Sequence, residues 1–355
     1  MVRADQRPGR RRAVPEPRRR AFRLGRGRPV RPASGRAARV VWSLLVILAA
    51  AALAVGWTPL AAPDWVPTAG AVAITTLYAF GLAYRTGGRA VISGALALGL
   101  SLGTVLSGLP VLLAGAAVGT AALAAVFAVM TTKPAAGYVT VVRECLVATL
   151  VAGIGAVAVE AFRPQVSLER SGYLVLGLSL LGALGLVFRL GAGWHGLGRR
   201  GVIMLVSGLV LLFVSLAYTE ALTRWGSPAL ADGLDRTLRD IRAALGAVPS
   251  PIAFLIGFPA LAWGVSTRAR RRQGWWVSAF GAVGLAVVTV SLLDPAVSLL
   301  ESGLSLLYSV LIGLALGYLV VRADTFLTGA RGRRARRLEE AAAHRPEPGR
   351  MQPLL

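Results

Sequence analysis

The chain has 355 residues, of which 55% are hydrophobic and only 15% are charged, and its mean hydropathy is +0.64. Soluble domains carry about a quarter charged residues, so this composition excludes an ordinary water-soluble fold. The net charge of +23 means that the few charges are mostly basic and are segregated from the apolar stretches, a pattern typical of a membrane protein with basic loops and tails.

The N-terminal tail, residues 1–39, contains 14 arginines and a single aromatic residue, Phe22. It has too few apolar residues to bury a core, so we expect it to be disordered. A nucleic-acid-binding segment normally adds aromatic stacking groups or a folded module, and the tail has neither, so we expect no specific nucleic-acid partner. The simpler role is attraction to the anionic lipid headgroups of an inner leaflet.

Ten apolar runs follow, each long enough to cross a hydrocarbon layer of about 30 Å as a helix. Helices are required because every backbone donor and acceptor in lipid must be satisfied within the segment. The fold class predicted is therefore an all-α polytopic membrane protein with about ten transmembrane helices, in a domain covering residues 40–322. The predicted spans are 40–57, 68–84, 90–107, 110–131, 141–161, 172–190, 201–219, 251–267, 274–293 and 302–321.

The distribution of basic residues predicts the orientation of these spans, because short cytoplasmic loops hold the lysine and arginine excess. With the N-terminus inside, every second loop carries that excess, and both termini are predicted to be cytoplasmic. Nearly all basic residues are arginine, which weakly supports a bacterial source, so we expect a multi-pass protein of a bacterial plasma membrane. The basic residues of the predicted inner loops are Arg85, Arg89, Lys133, Arg143, Arg189, Arg199, Arg200, Arg268, Arg270, Arg271 and Arg272.

Polar groups at mid-membrane depth are mostly hydroxyls, and Thr75, Thr76 and Ser101 are the candidates for a substrate path. Such hydroxyls can bond a substrate in a central cavity, or they can bond their own helix backbone or a neighbouring helix. GxxxG pairs also occur in three predicted spans and predict close helix approach there. These pairs are Gly99 with Gly103, Gly115 with Gly119, and Gly313 with Gly317.

Ionisable residues are rare within the apolar runs, although such residues are a usual pointer to function in membranes. Glu144 lies near the start of the fifth span, beside Arg143. It is a candidate for a shallow inner-side proton or ligand group, and the alternative is an interfacial pair with Arg143.

The segment GAGWHG, Gly191–Gly196, matches the pattern GxGxxG and precedes Arg199 and Arg200. A dinucleotide-binding fold needs a strand before this pattern and a soluble βαβ unit around it, whereas both flanks here are membrane spans. Two interpretations remain: an ordinary short connector, or a loop whose amides hold a phosphate or an anionic lipid headgroup together with Arg199 and Arg200.

The longest outer loop predicts an amphipathic helix at about residues 232–248, because leucine, isoleucine and valine recur there at three- and four-residue spacing. We favour a helix that caps the bundle with its apolar stripe buried. The alternatives are a helix lying on the outer membrane surface and a docking surface for an extracytoplasmic partner.

The eighth span carries Gly257-Phe258-Pro259 near its middle, where proline removes a backbone bond and interrupts the helix. Transporters bind substrates at interrupted helices in matching positions of two inverted halves. Gly257 and Pro259 are therefore substrate-path candidates. A division into five plus five spans pairs this span with the third, as an architectural analogy only.

The stretch TRARRRQGWW, Thr267–Trp276, follows the eighth span. We interpret its arginines as an orientation signal, with Trp275 and Trp276 at headgroup depth. The alternative is an anionic lipid or phosphate site, whose candidate residues are Arg268, Arg270, Arg271 and Arg272.

The C-terminal tail, residues 323–355, is predicted to be basic and cytoplasmic, with a possible short helix at about residues 336–343.

Catalytic chemistry is not indicated by the sequence. The single cysteine is Cys145, the histidines are His195 and His344, and no nucleophile, metal or hydrolase motif accompanies them. We therefore expect no enzyme, no cofactor and no metal. The sequence favours a transporter, permease or flippase for a small or lipid-like molecule. The alternative is a non-catalytic membrane subunit or scaffold with a protein partner in a cell-envelope complex.

Overall fold

The computed structural model describes residues 35–59, 63–164, 168–190, 194–225, 227–270, 274–294, 297–328 and 347–354. Within these ranges the chain forms helices and no strand, so the predicted all-α class is confirmed for them. The helices are α1 Gly35–Val55, α2 Trp65–Arg85, α3 Ala90–Ser107, α4 Pro110–Thr131, α5 Tyr138–Ala161, α6 Leu168–Arg189, α7 Trp194–Trp225, α8 Pro228–Leu245, a π-helical segment Ile252–Gly257 that continues as α9 Phe258–Arg268, α10 Gly274–Val290 and α11 Leu299–Thr328.

Seven helices in the described ranges are long and apolar enough to cross a membrane: α1 to α6 and α11. The other three predicted spans coincide with shorter apolar helices at residues 205–218, 252–268 and 274–290. Large apolar side chains such as Leu106, Val111 and Val139 lie exposed on the outside of the bundle. An exposed apolar surface of this kind is rare in soluble monomers and is consistent with a multi-pass membrane protein.

α10 is the most buried helix of the bundle. It packs against α4, α5, α6, α9 and the π-helical segment, and most of its residues are glycine, alanine or valine. Small side chains allow this close approach: a Cβ added to Gly257 would lie 2.2 Å from the Cα of Gly284. The backbone of the π-helical segment therefore crosses α10 in direct contact.

The glycine pairs behave differently from one another. Around Gly313 and Gly317 of α11 the predicted close approach is confirmed, because added Cβ atoms would lie 2.6 Å from the Cβ of Phe258 and 2.9 Å from the Cβ of Ala262. For Gly99, Gly103, Gly115 and Gly119 the prediction is wrong within the described residues, since nothing lies within 4 Å of an added Cβ. The pattern alone did not tell which face of α3 or α4 is packed.

Several predicted boundaries change. α1 begins at Gly35, inside the predicted tail, and α11 continues to Thr328, past the predicted end of its span. α7 begins at Trp194, so the second half of the glycine motif is helical rather than a loop. Residues 1–34 and the predicted short helix at about residues 336–343 lie outside the described residues.

The predicted outer helix is present as α8, Pro228–Leu245, but the expected cap is not. Leu234, Leu238 and Leu245 are exposed, so the described residues leave the apolar stripe uncovered. The end of α8 is fixed to α11, because Arg242 pairs with Glu301 at 2.7 Å and the Tyr308 hydroxyl donates to the Leu245 carbonyl at 2.9 Å. This arrangement fits a helix lying on a surface rather than one covering the bundle.

The two halves of the chain pack differently. A five-plus-five division pairs α4 and α5 with α10 and α11. α4 packs extensively against α5, whereas α10 and α11 each pack mainly against α9. The analogy with inverted repeats therefore gains no support from the packing.

We expect Gly257→Ala to lower the free energy of unfolding by about 1–3 kcal/mol, because the new methyl group would overlap the α10 backbone. The matched control is Gly115→Ala, where the added methyl group meets nothing within 4 Å and alanine favours the helix. Thermal unfolding in detergent measures both. Equal stability of the two variants would show that the Gly257–Gly284 crossing is not tightly packed.

Candidate functional site

Three helices finish together at one end of the bundle, which we call the arginine end. α2 ends at Arg85, α4 at Thr131 and α9 at Arg268. The last carbonyl groups of a helix lack intrahelical partners and carry partial negative charge, so they attract cations. Capping explains why arginines lie at these helix ends. Arg85 and Arg268 also contact residues far away in the sequence.

Arg85 is buried, with only 1% of its surface exposed. Its Nε donates to the carbonyl of Met130 at 2.8 Å. Its Nη1 donates to the carbonyls of Gly349 at 2.6 Å and Gln352 at 3.0 Å. Arg85 therefore joins the end of α4 to a segment far along the chain.

Arg268 is also buried, with a side-chain exposure of 0%. It donates to Thr132 twice, from Nη1 to the hydroxyl at 2.7 Å and from Nη2 to the carbonyl at 2.9 Å. Nη2 also pairs with the Glu347 carboxylate at 2.7 Å, and the guanidinium lies over the Trp275 ring, 3.6 Å from its centroid. Arg268 is thus held on three sides.

Glu144 supplies negative charge to the same end and is fully buried. It accepts a hydrogen bond from the backbone N–H of Lys133 at 2.9 Å. The predicted pair with Arg143 is present at 3.1 Å, although the Arg143 side chain is 66% exposed. A second pair, with Arg350 at 2.9 Å, was not predicted.

Residues 347–354, which we call the C-terminal segment, dock on the arginine end. A turn between Gly349 and Gln352 shapes the segment, with the Gln352 N–H donating to the Gly349 carbonyl at 2.9 Å. The N–H of Leu354 donates to the carbonyl of Arg85 at 2.8 Å. The segment therefore brings Glu347 to Arg268 and Arg350 to Glu144.

The charges of this cluster do not cancel. Among the described residues, Arg85, Arg268 and Arg350, together with the more exposed Arg143, face two carboxylates, those of Glu144 and Glu347, which leaves an excess of positive charge. Within the described residues, Nη2 of Arg85 and Nε of Arg268 are buried and have no hydrogen-bond partner. Buried donors without partners are costly, so the cluster has unused capacity for an anionic acceptor.

The other arginine candidates are placed separately. Arg270 follows α9 and is partly exposed, whereas Arg271 and Arg272 lie outside the described residues. Arg199 and Arg200 lie within α7 rather than in a loop, and their side chains are outside the described part of the chain. The Trp276 ring is buried among core residues rather than facing outward, and its headgroup depth stays a prediction.

The three hydroxyl candidates bond their own helices, the alternative left open by the sequence. Thr75 donates to the Ala71 carbonyl at 2.8 Å, and Thr76 and Ser101 make the same bond to the carbonyl four residues earlier. Thr75 also lies 2.9 Å from the hydroxyl of Thr120, which links α2 to α4.

Gly257 and Pro259 lie where the predicted interruption occurs. The helix widens into the π-helical segment, in which the Phe258 N–H donates to the Ala253 carbonyl, and a regular α-helix resumes at Phe258, directly before Pro259. Pro259 has no N–H to offer the carbonyl one turn earlier. π-helical turns are rare and occur often at functional sites.

Two cavities flank this broken helix. One, of about 350 Å³, is mostly apolar and is lined by Pro259, Ile256 and Trp263 together with parts of α7, α10 and α11. The other, of about 290 Å³, lies at the opposite end of the bundle from the arginine end. Its lining is rich in hydroxyls, such as those of Ser250 and Ser305, and also includes Ala253, Arg242 and Glu301. The π-helical segment therefore contributes to the wall of both cavities.

Compared with known proteins, the chain matches no protein-family model, no curated protein and no solved structure.

The sequence did not predict the C-terminal segment or the burial of Arg85. For Arg85 and Arg268 the sequence predicts charges in loops, since a charge at the end of an apolar run normally lies in water. One sequence signal was available: Glu347 and Arg350 are two opposite charges three residues apart near the end of the predicted tail. The partners of Glu347 and Arg350 lie far away in the sequence, so only the fold shows that these residues are close in space.

We expect Glu144→Ala to lower the free energy of unfolding by about 1–3 kcal/mol, because it leaves the Lys133 N–H and Arg350 without their acceptor. The control Arg143→Ala removes only an exposed partner and should cost about 0–1 kcal/mol. Thermal unfolding of both variants is the measurement. A smaller effect at Glu144 than at Arg143 would contradict this description of the cluster.

Proposed function

We propose that this chain is a ten-span transporter, permease or flippase of a bacterial plasma membrane, and that it moves a small or lipid-like molecule. The observation that carries the proposal is the broken helix at Ile252–Gly257 and Pro259, with a cavity on each side of it.

A break of this kind leaves backbone groups without their regular helical hydrogen-bond partners. Non-helical or widened backbone is tolerated at membrane depth only where it is buried in protein or lines a cavity. Transporters use such places to bind substrates near the middle of the membrane. The larger cavity, about 350 Å³, is within the usual range for a small-molecule site, and its apolar lining suits a lipid-like or hydrophobic compound.

The proposed orientation follows from the charges at the arginine end. Arg85, Arg89, Lys133, Arg143 and Arg270 all lie at or next to helix ends there. The inside-positive rule would place this end in the cytoplasm. In this proposal the three shorter apolar helices, at residues 205–218, 252–268 and 274–290, also cross the membrane. The proposal assigns no catalytic step, cofactor or metal to the chain.

We expect Pro259→Ala to lower flux at least several-fold while leaving insertion intact, because alanine supplies the missing N–H and lets the helix close. The control is Pro110→Ala, which removes an exposed proline from the first turn of α4, where it disrupts nothing. The assay compares lipids and metabolites of cells with and without the protein, and then follows the compound found, or a fluorescent lipid, in proteoliposomes. Unchanged flux in the Pro259→Ala variant would count against this site.

The second candidate function is a membrane subunit that organises an envelope complex. The observation that favours it is the exposed apolar stripe of α8, with Leu234, Leu238 and Leu245, together with the basic N-terminal tail. Such a stripe can lie on the lipid surface or on a partner protein.

Deletion of residues 1–32, with Arg36 and Arg39 retained, separates these two functions. A transporter should keep its flux, since the deletion ends before the first residue of α1, Gly35, whereas a scaffold should lose assembly. Crosslinking at native expression level, followed by mass spectrometry of copurified proteins, measures assembly. A stoichiometric partner that disappears on deletion would replace the transporter proposal with the subunit.

A further inference from the structure

We propose that Arg85 and Arg268 form a binding site for a carboxylate or phosphate group at the arginine end, and that Glu347 is the internal occupant of this site. The inference goes beyond transport, because binding at the arginine end needs no movement of the ligand across a membrane.

The position of Arg268 does not depend on Glu347. Its guanidinium is fixed by Thr132 on one side and by the face of Trp275 on another, independently of Glu347. The side chain therefore stays in place when Glu347 leaves. Sites held ready in this way bind more tightly because less ordering is required on binding.

The second step is the number of donors. A guanidinium carries five N–H donors, and in this cluster Nη2 of Arg85 and Nε of Arg268 are buried without a partner among the described residues. The Glu347 carboxylate reaches Arg268 but is not bonded to Arg85. Glu347 thus leaves donors free, and a phosphate, with more acceptor oxygens than a carboxylate, has the acceptors to use them.

The third step is the charge. Arg85 and Arg268 are near enough to repel each other, and both lie at the end of an apolar bundle. Without Glu347 and Arg350, Glu144 is the one buried carboxylate that the described part of the chain brings to the cluster, so the two buried arginines keep an excess positive charge. Arginine is the residue best suited to bind carboxylate and phosphate in a partly desolvated site.

Helix capping alone does not explain this arrangement. It accounts for the bonds from Arg85 to Met130 and from Arg268 to Thr132. It does not account for a second guanidinium buried beside the first, or for an acidic side chain brought from residue 347 to meet it. An anion site with an internal competitor accounts for both.

The C-terminal segment is suited to leave, because the side chains that carry its charges lie at the edge of the cluster. Arg350 is 25% exposed and Glu347 is 19% exposed, whereas the groups that they contact, Glu144 and Arg268, are fully buried. Water and external anions therefore reach Glu347 and Arg350 before they reach Arg268 and Glu144.

The displacement experiment uses the full-length chain in nanodiscs of zwitterionic phosphatidylcholine. Cys145→Ala removes the single native thiol, and Gly137→Cys and Pro353→Cys place spin labels at two exposed positions, beside α5 and on the C-terminal segment. Electron–electron distance measurement should give one narrow distance without added anion. Inorganic phosphate, or phosphatidic acid built into the nanodisc, should convert it to a broad, longer distribution.

The two probes distinguish the source of the ligand. A response to inorganic phosphate assigns a soluble anion, and a response to phosphatidic acid alone assigns a lipid headgroup. A broad distribution of distances between the two spin labels before any anion is added would overturn the assignment of Glu347 as occupant. No response to either probe would overturn the anion site.

The affinity experiment follows the rise in Tm on addition of the probe that acts in the first experiment. Glu347→Gln should lower the concentration for half-maximal stabilisation about tenfold, because the competitor is weakened and the open site is more populated. Arg268→Gln in the Glu347→Gln background should abolish the effect, and Arg89→Gln, at an exposed arginine near the same end, should not change it. If Arg268→Gln and Arg89→Gln behave alike, the probe acts through general charge and the site is refuted.

Discussion

The arrangement of the arginine end depends on one constraint, the burial of two guanidiniums at the end of an apolar bundle. An isolated buried charge is too costly to keep, so each must be surrounded by acceptors. The carbonyls at the end of α4 and the Thr132 hydroxyl supply some of them, and the C-terminal segment supplies others. This requirement fixes the ends of α2, α4 and α9 relative to one another and brings the chain back from residue 347.

A second close arrangement lies deeper, where Gly257 meets Gly284. The contact between these two backbones holds the π-helical segment against α10, and Gly313 and Gly317 bring α11 against α9 from another side. The broken helix is therefore clamped by small residues while its own hydrogen bonding is irregular. A rigid frame around an irregular segment keeps the two flanking cavities on either side of it.

Apolar periodicity was enough to predict the helices and most of their bounds, because lipid leaves a segment of suitable length little choice of structure. It also placed the interruption at Gly257 and Pro259, since proline acts locally. It failed where the answer depends on which face is packed: Gly115 and Gly119 share a pattern with Gly313 and Gly317, but only the second pair meets a neighbour. It failed again at Arg85 and Arg268, whose partners lie far away in sequence.

Because Glu347 and Arg350 come after α11, they are synthesised later than every helix they contact. Until then Arg268 lacks its carboxylate and Glu144 lacks one of its two cationic partners. The helices that these residues contact, α4, α5 and α9, are therefore synthesised before this end can be fully neutralised, and the last part of the described chain completes it. The order of synthesis thus becomes an order of assembly, in which docking of residues 347–354 reports that the helices before them have come together.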